Sequence, residues 1–365
     1  MHFPIEDDCF YINPNTFCGL DCYLITPQMN AKWSNDNLFY RSLIIDKEGN
    51  VLSSGWPKFF NYGEKPGCCP SLDEHNDWRF VDKVDGTLVI CDYINNQFSM
   101  RTRGTVTYAT QNNAPDFELL PQKYPKVVEF LKENPHITLL FELVTPNNVI
   151  VVRPKEVDFY LLGAINKDNM TVVTSSEMTD IWRQVGPIQT PQTFTFSSTT
   201  KLSEIAQHIK NWRDKEGIVI SYNNNQNRIK LKSDWYLFCH RVKSQLSSTN
   251  NLIEFYVEKG MPSAEDLYAA IETEFDYEIA LQLKSEIKKI CEVGHKVKKD
   301  IENMKDFVSS IRKFETRKQQ AEHINNTYGV SGKTSQVFYL LDNEKLSDCL
   351  LQKLFDQNLR SISEF

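Results

Sequence analysis

Through the first two-thirds of the chain, short blocks of apolar and β-branched residues are separated by polar, Gly- and Asn-containing segments, a pattern that predicts strands. The clearest blocks are residues 87–92, 98–101, 137–144, 149–152, 159–165, 217–222 and 227–232. Residues 38–45 and 51–54, joined through Glu48-Gly49-Asn50, predict a hairpin. Helical spacing over this stretch is confined to 123–134, ended by Pro135, and 201–212, opened by Thr200 or Ser203. Strands and helices do not alternate regularly. A doubly wound parallel sheet is therefore disfavoured, and an α+β domain built on antiparallel sheets is expected.

The periodicity changes near residue 245. A polar run, 244–251, serves as a boundary and divides the chain into 1–243 and 252–365. Ser263 with Asp266 three residues on predicts a helix start after Pro262. Ile287, Ile290, Val297, Ile301, Met304, Val308 and Ile311 then follow at 3–4 spacing and miss one beat at Gly294, which predicts an amphipathic helix that is long or broken there. The second region is expected to be mostly α-helical.

At 365 residues, with 41% hydrophobic side chains, the chain can bury two cores. Its net charge of −7 excludes a globally basic nucleic-acid binder, so any polyanion must meet local patches. One such patch is the window 284–318, with 11 Lys/Arg against 6 Asp/Glu; it is either a solvated helix face or a surface that tracks an RNA backbone. The nine cysteines are scattered. Cys18-x3-Cys22 and Cys68-Cys69 match no zinc arrangement, so free thiols in a reducing compartment are expected. No stretch reaches the ~18 uninterrupted apolar residues of a membrane span, and the start of the chain has no basic, apolar leader. A cytoplasmic protein with no membrane partner is expected.

The candidate chemistry centres on Lys83-Val84-Asp85-Gly86, set just before the apolar block at residue 87. K-x-D-G arises by chance in roughly one chain in ten of this length, so its surroundings decide its weight. Upstream lie Arg41 and Pro57-Lys58-Phe59-Phe60-Asn61; downstream come Arg101-Thr102-Arg103-Gly104, Phe141-Glu142-Leu143, Glu216-Gly217-Ile218-Val219-Ile220 and Lys230-Leu231-Lys232. A strand-end glutamate or a K-x-K is unremarkable alone. Together, basic groups and two acids on strand ends suit a triphosphate pocket. A lysine attacks only when neutral, and nearby cations lower its pKa. Lys230 and Lys232, two apart on a strand, share a face and are expected to depress Lys83 and to neutralise an α-phosphate. Arg41 and Lys58 suit the departing pyrophosphate. Glu216 suits a magnesium ion, and Gly86 permits a close backbone approach.

In this order the motifs resemble the lysine nucleotidyltransferases, the polynucleotide ligases and mRNA capping enzymes. Tyr40-Arg41-Ser42-Leu43-Ile44-Ile45-Asp46 with the later Pro57-Lys58-Phe59-Phe60-Asn61 is more specifically similar to the RNA ligase 1 type, ATP-dependent ligases of bacteriophage tRNA repair, over residues 38–240. The resemblance implies a nucleotidyltransferase domain followed by a helical domain for RNA-substrate specificity. It implies that Lys83 is adenylated from ATP with Mg2+ or Mn2+. Arg41, Lys58 and Phe60 then serve the β- and γ-phosphates, and Arg103, with Arg101 as fallback, the ribose or phosphate. Glu142 serves the ribose, Glu216 the metal, Lys230 and Lys232 the α-phosphate. Phe159 and Leu161 are the alternatives for stacking on adenine. The implied partner is RNA, a broken strand or a tRNA anticodon loop, with an end-healing kinase/phosphatase acting beforehand.

Rival readings are a DNA ligase or a GTP-dependent capping guanylyltransferase, both disfavoured because the family members of that kind continue into a β-barrel, and a non-catalytic RNA-binding module. Gly329-Val-Ser-Gly332-Lys333-Thr334 resembles part of a P-loop, but Thr327 stands where its first glycine belongs and no apolar strand precedes it, so a helix-end loop is expected.

Overall fold

The computed structural model describes residues 8–64, 77–197, 199–246, 248–275 and 277–363, which leaves Cys68 and Cys69 outside the described residues. The chain divides into two compact units that meet between His240 and Arg241.

In the first unit β1 (Phe10–Phe17), β2 (Leu20–Pro27), β3 (Leu43–Asp46) and β4 (Val51–Ser54) form an antiparallel sheet in sequence order. The remaining strands are β5 (Phe60–Asn61), β6 (Arg79–Asp82), β7 (Thr87–Ile94), β8 (Gln97–Arg101), β9 (Ile137–Val144), β10 (Asp158–Asn166), β11 (Thr171–Val172), β12 (Thr193–Phe194), β13 (Gly217–Tyr222) and β14 (Asn227–Lys232). They build a second sheet of order β11-β10-β9-β7-β8 and a third of order β12-β6-β13-β14-β5. Only β14 and β5 run parallel; the other described pairs are antiparallel. The α+β expectation with antiparallel sheets holds.

Burial explains the layout. β7 and β9 sit at the centre of the second sheet and read as nearly unbroken apolar runs because both faces are covered. One face packs on the helices Pro125–Glu133 and Ser175–Val185 through Phe117, Val127, Leu131, Phe141 and Phe159. Ile218, Ile220, Ile229 and Leu231 of the third sheet close on the helix Leu202–Lys210 through Leu202, Ile205 and Ile209.

Three expectations are corrected. Residues 38–41 are a 3-10 turn, so Arg41 ends that turn instead of opening a strand. Residues 149–152 form no strand, because the amides of Val151 and Val152 donate to the Asp85 carboxylate at 2.8 Å each. β1 and β2 were not expected; Pro14 and the neighbouring asparagines hide β1, and an edge strand tolerates proline.

The second unit contains helices and no strand among its described residues. Ser263 caps the helix Ala264–Glu274, its hydroxyl accepting from the Asp266 N–H at 3.0 Å. The helix Lys284–Ile311 runs unbroken through Gly294. A Cβ there would lie 2.3 Å from the Tyr256 hydroxyl oxygen. The missed apolar beat is thus a close contact and not a break. Lys288, Lys289, Lys296 and Lys299 stand exposed on this helix. The P-loop-like segment joins two helices, and its Lys333 donates to Asp300 at 2.6 Å, as a helix-end loop does. Among the described residues no helix is long and apolar enough to cross a membrane.

Candidate active site

Lys83 lies where the chain leaves β6 of the third sheet and enters β7 of the second. Its amide is fixed by the Gly217 carbonyl at 2.9 Å, which ties K-x-D-G to the start of β13. The residues after it make the crossover tight. A Cβ on Gly86 would lie 2.3 Å from the Leu143 carbonyl oxygen and 3.1 Å from Cγ of Glu142. Gly86 is therefore required by the approach of the chain to β9, and it lines the cleft as well. Asp85 accepts from Val151 and Val152 and from the Tyr236 hydroxyl at 2.8 Å, so the motif's acid clamps a loop and a helix.

The Lys83 ammonium donates to Oε2 of Glu216 at 2.7 Å, and Lys232 meets Oε1 of the same carboxylate at 2.8 Å. Glu216 is buried and each of its oxygens holds one lysine. Glu142, the one charged residue of β9, stands half-buried in an otherwise buried strand. Burial raises its carboxyl to about 7 against the opposing pull of Lys83, and the Gly86 N–H donates to it.

These acids overturn one expectation. Burial alone drives the Lys83 amine down, but Glu216, Glu142 and Asp85 outweigh it and hold the ammonium above its ordinary value. The depressed lysine is instead Lys230, brought to about 8 by burial and by Arg41, Lys58, Lys232 and Lys83. Arg41 is similarly pulled to about 10 by burial and Arg103.

A cleft of about 690 Å3 opens between the second and third sheets, and Arg41, Lys83, Gly86, Arg103, Glu142, Lys230 and Lys232 line it. Seven of the ten expected site residues thus line one cleft. Glu216 sits behind Lys83 on a smaller adjoining cavity with Asp82 and Asp85. Lys58 and Phe60 do not line the cleft: the Lys58 ammonium lies 5.0 Å from the Phe60 ring centroid and 5.6 Å from that of Trp33. Phe59 stands on the cleft wall instead, 5.6 Å from the Arg41 guanidinium and 5.5 Å from the Lys230 ammonium. In P-K-F-F-N the ring on the cleft is one residue earlier than expected, since Phe60 enters β5 and packs on the third sheet's core.

Burial separates the two candidate arginines. Arg101 is fully buried and its guanidinium donates to the Ser42 and Ser53 hydroxyls, so Arg103 is the arginine facing the cleft. Phe159 and Leu161 are both buried in the same core, and of the two Leu161 also lines the cleft, beside Leu162 at a register shift in β10. Trp56, Arg79, Met178, Trp182, Ser221, Asn225 and Arg228 also line the cleft and were not anticipated. One signal was legible: Thr174 with Glu177 forms a capping box that starts the helix carrying Met178 and Trp182.

A model of the RNA ligase family matches residues 40–245, more than half of the chain. The chain belongs to the RNA ligase family. It is 24% identical over 237 residues to a protein of Autographa californica nuclear polyhedrosis virus described as a putative bifunctional polynucleotide kinase/RNA ligase. That match covers 60% of this chain and 33% of the viral protein, so the chain spans about a third of the length of this curated relative. Among solved structures it is similar to an archaeal ATP-dependent RNA ligase (TM-score 0.47, 16% identity, 77% of this chain and 76% of the other). It is also similar to an RNA ligase of Naegleria gruberi bound to ATP and manganese (TM-score 0.41, 16% identity, 60% and 64%). A putative ATP-dependent DNA ligase from Aquifex aeolicus gives a TM-score of 0.47 at 16% identity over 75% of this chain and 77% of that one.

Proposed function

We propose that this member of the RNA ligase family is an ATP-dependent ligase that joins RNA 5′-phosphate and 3′-hydroxyl ends through lysyl-AMP. The observation that carries the reading is the Lys83 ammonium, held on Glu216 at the wall of a nucleotide-sized cleft that Arg41, Arg103, Lys230 and Lys232 also line.

The Lys83 nitrogen, once deprotonated, attacks the α-phosphorus of ATP; an N–P bond forms, the bond to the bridging oxygen breaks, and pyrophosphate leaves. Lys230 and Lys232 neutralise charge on the α-phosphate as it crowds. Arg41 receives the departing pyrophosphate. Leu161 and Leu162 offer an apolar wall to the base, and Arg103 a charge to the ribose-phosphate. The AMP then passes to an RNA 5′-phosphate, and a 3′-hydroxyl displaces it to form the phosphodiester.

The donor set fits a divalent cation of the magnesium kind. Glu216 and Glu142 are hard oxygen donors of the kind such an ion takes, Glu142 on the cleft and Glu216 on the adjoining cavity. Such an ion supplies charge neutralisation on the phosphates. Glu216, which now pairs with Lys83 and Lys232, and Glu142 are the residues that would hold it.

The helical second unit supports RNA joining over the DNA ligase and capping readings, which call for a β-barrel. The viral relative's description joins a polynucleotide kinase to an RNA ligase, and an end-healing kinase/phosphatase is the partner we propose for preparing the ends.

Incubation with radiolabelled ATP and Mg2+ tests the reading. The expected result is an acid-labile adduct that Lys83→Ala abolishes, followed by sealing of a nicked RNA stem-loop. Labelling by GTP alone would move the assignment to capping, sealing of DNA alone to a DNA ligase, and no labelling by either nucleotide would defeat the catalytic reading.

A further inference from the structure

The third sheet presents its cleft-facing side chains in rows. Lys230 pairs in register with Val219, and Val219 with Val81; one row further from Lys83, Arg228 pairs with Ser221 and Ser221 with Arg79. Residues directly opposite on neighbouring strands share a face, and Arg79, Ser221 and Arg228 all line the cleft. Arg228 and Lys232 are four residues apart on β14, which places their backbones roughly 13 Å apart.

Arg228 is held with care. Its Nη1 donates to the Asn225 carbonyl at 2.8 Å and its Nη2 to the Asn225 side-chain oxygen at 2.7 Å. Asn225 is itself anchored, donating to the Val173 carbonyl at 2.7 Å. The guanidinium carbon lies 4.1 Å from the ring centroid of the buried Trp56. A guanidinium carries five N–H donors, so these contacts leave donors for the cleft.

Among the described residues no acid answers this charge. Neither Arg228 nor Arg79 makes an ion pair among the described residues, and the Ser221 hydroxyl has no hydrogen-bond partner among them. Asp77, near in sequence, accepts from the amides of Asn223 and Asn224 instead. Burial, and then Arg79, pull the Arg228 guanidinium down to about 9, the mark of a cation that lacks a counter-charge. A half-buried arginine fork, a second arginine and a free hydroxyl in one row match the oxygens of a phosphate group.

We propose that Arg79, Ser221 and Arg228 form a phosphate-binding site at the end of the cleft away from Lys83, filled by a terminal phosphate dianion. The source of that phosphate rests on the reading of the cleft as an adenylyltransferase site: it is either the γ-phosphate of ATP or the 5′-phosphate of the RNA end.

Calorimetric titration of the full chain with inorganic pyrophosphate and tripolyphosphate, and with a 5′-phosphorylated against a 5′-hydroxyl oligoribonucleotide, tests the site without any reaction. Arg228→Gln and the exposed Arg79→Gln should each weaken at least one phosphate-dependent binding by tenfold or more; unchanged binding of every probe by both variants overturns the proposal. If Arg228→Gln does not fold, Arg79→Gln alone decides.

Two kinetic arms then separate the sources. A rise in the KM for ATP during self-adenylylation, with AMP transfer from isolated lysyl-AMP protein to RNA unchanged, assigns the γ-phosphate. The reverse assigns the RNA 5′-phosphate. Equal losses in both arms together with a lowered melting temperature would make Arg228 a structural anchor on Trp56 and overturn the site. Absence of self-adenylylation in the wild type defeats the functional reading, while the titrations still decide whether these residues bind phosphate.

Discussion

At one end of the cleft Lys83 and Lys232 share the Glu216 carboxylate, with Glu142 and Asp85 close enough to act on Lys83. Further along, none of Arg41, Arg79, Lys230 and Arg228 makes an ion pair among the described residues. The contrast shows in protonation. Acids hold Lys83 charged despite burial, whereas burial and like charges bring Lys230 to about 8 and Arg41 to about 10. A cation with a carboxylate partner needs no ligand; a row of cations without one is satisfied by a polyanion. For the attack proposed for it, Lys83 would first have to lose the proton that these carboxylates stabilise.

Neutralising a charge should therefore have opposite consequences at the two ends. The largest effect is expected from Glu216→Gln, which leaves two lysines without their shared partner and costs about 3 kcal/mol, read by urea unfolding. Covalent labelling should fall, and what remains should reach its midpoint at lower pH than in the wild type, since Lys83 is released from its strongest acid. Wild-type stability with an unmoved midpoint would show that Glu216 does not set the charge of Lys83.

Lys230→Gln should do the reverse and raise stability near pH 7 by about 1 kcal/mol, the low end for burying even a neutral polar group without a partner, while weakening labelling by ATP. The lysine's pKa is depressed from 10.5 to about 8, so the folded state binds fewer protons across that window. Wild-type stability should consequently climb between pH 8 and 10.5 and the gain from Lys230→Gln should shrink. A destabilised Lys230→Gln at pH 7 would break the comparison.

The smallest effect is expected at Glu142, whose carboxyl is raised from the ordinary 4.5 to about 7. Its folded state favours the proton, so its contribution is present below pH 4.5 and is lost as pH rises through 7. The melting temperature of the wild type relative to Glu142→Gln should fall from pH 5 to pH 8. A difference that stayed constant would mean that Glu142 is as well solvated as a surface acid.

Legibility varied with how local the cause was. The spans of β9, β13 and β14 follow the pattern of apolar residues, because central strands are specified by burial along their own length. Residues 149–152 have the composition of a strand, yet their amides serve Asp85, a partner 66 residues away from Val151. The spacing of Lys230 and Lys232 was enough to put them on one face. Arg228, two residues earlier on that face, carried no motif to separate it from an ordinary strand-end charge.

The sequence by itself determined the order and chemistry of the motifs: an amine before an Asp-Gly turn, acids at the ends of apolar strands and a K-x-K on the last of them. These are properties of neighbouring residues and their period along the chain. The tertiary structure alone decided which ring and which arginine face the cleft, that Gly86 is required by β9, and that Lys83 rests as a charged ammonium. Those outcomes depend on strands brought together from distant parts of the chain, and on burial and Coulomb interactions that fall off with distance in space rather than along the chain.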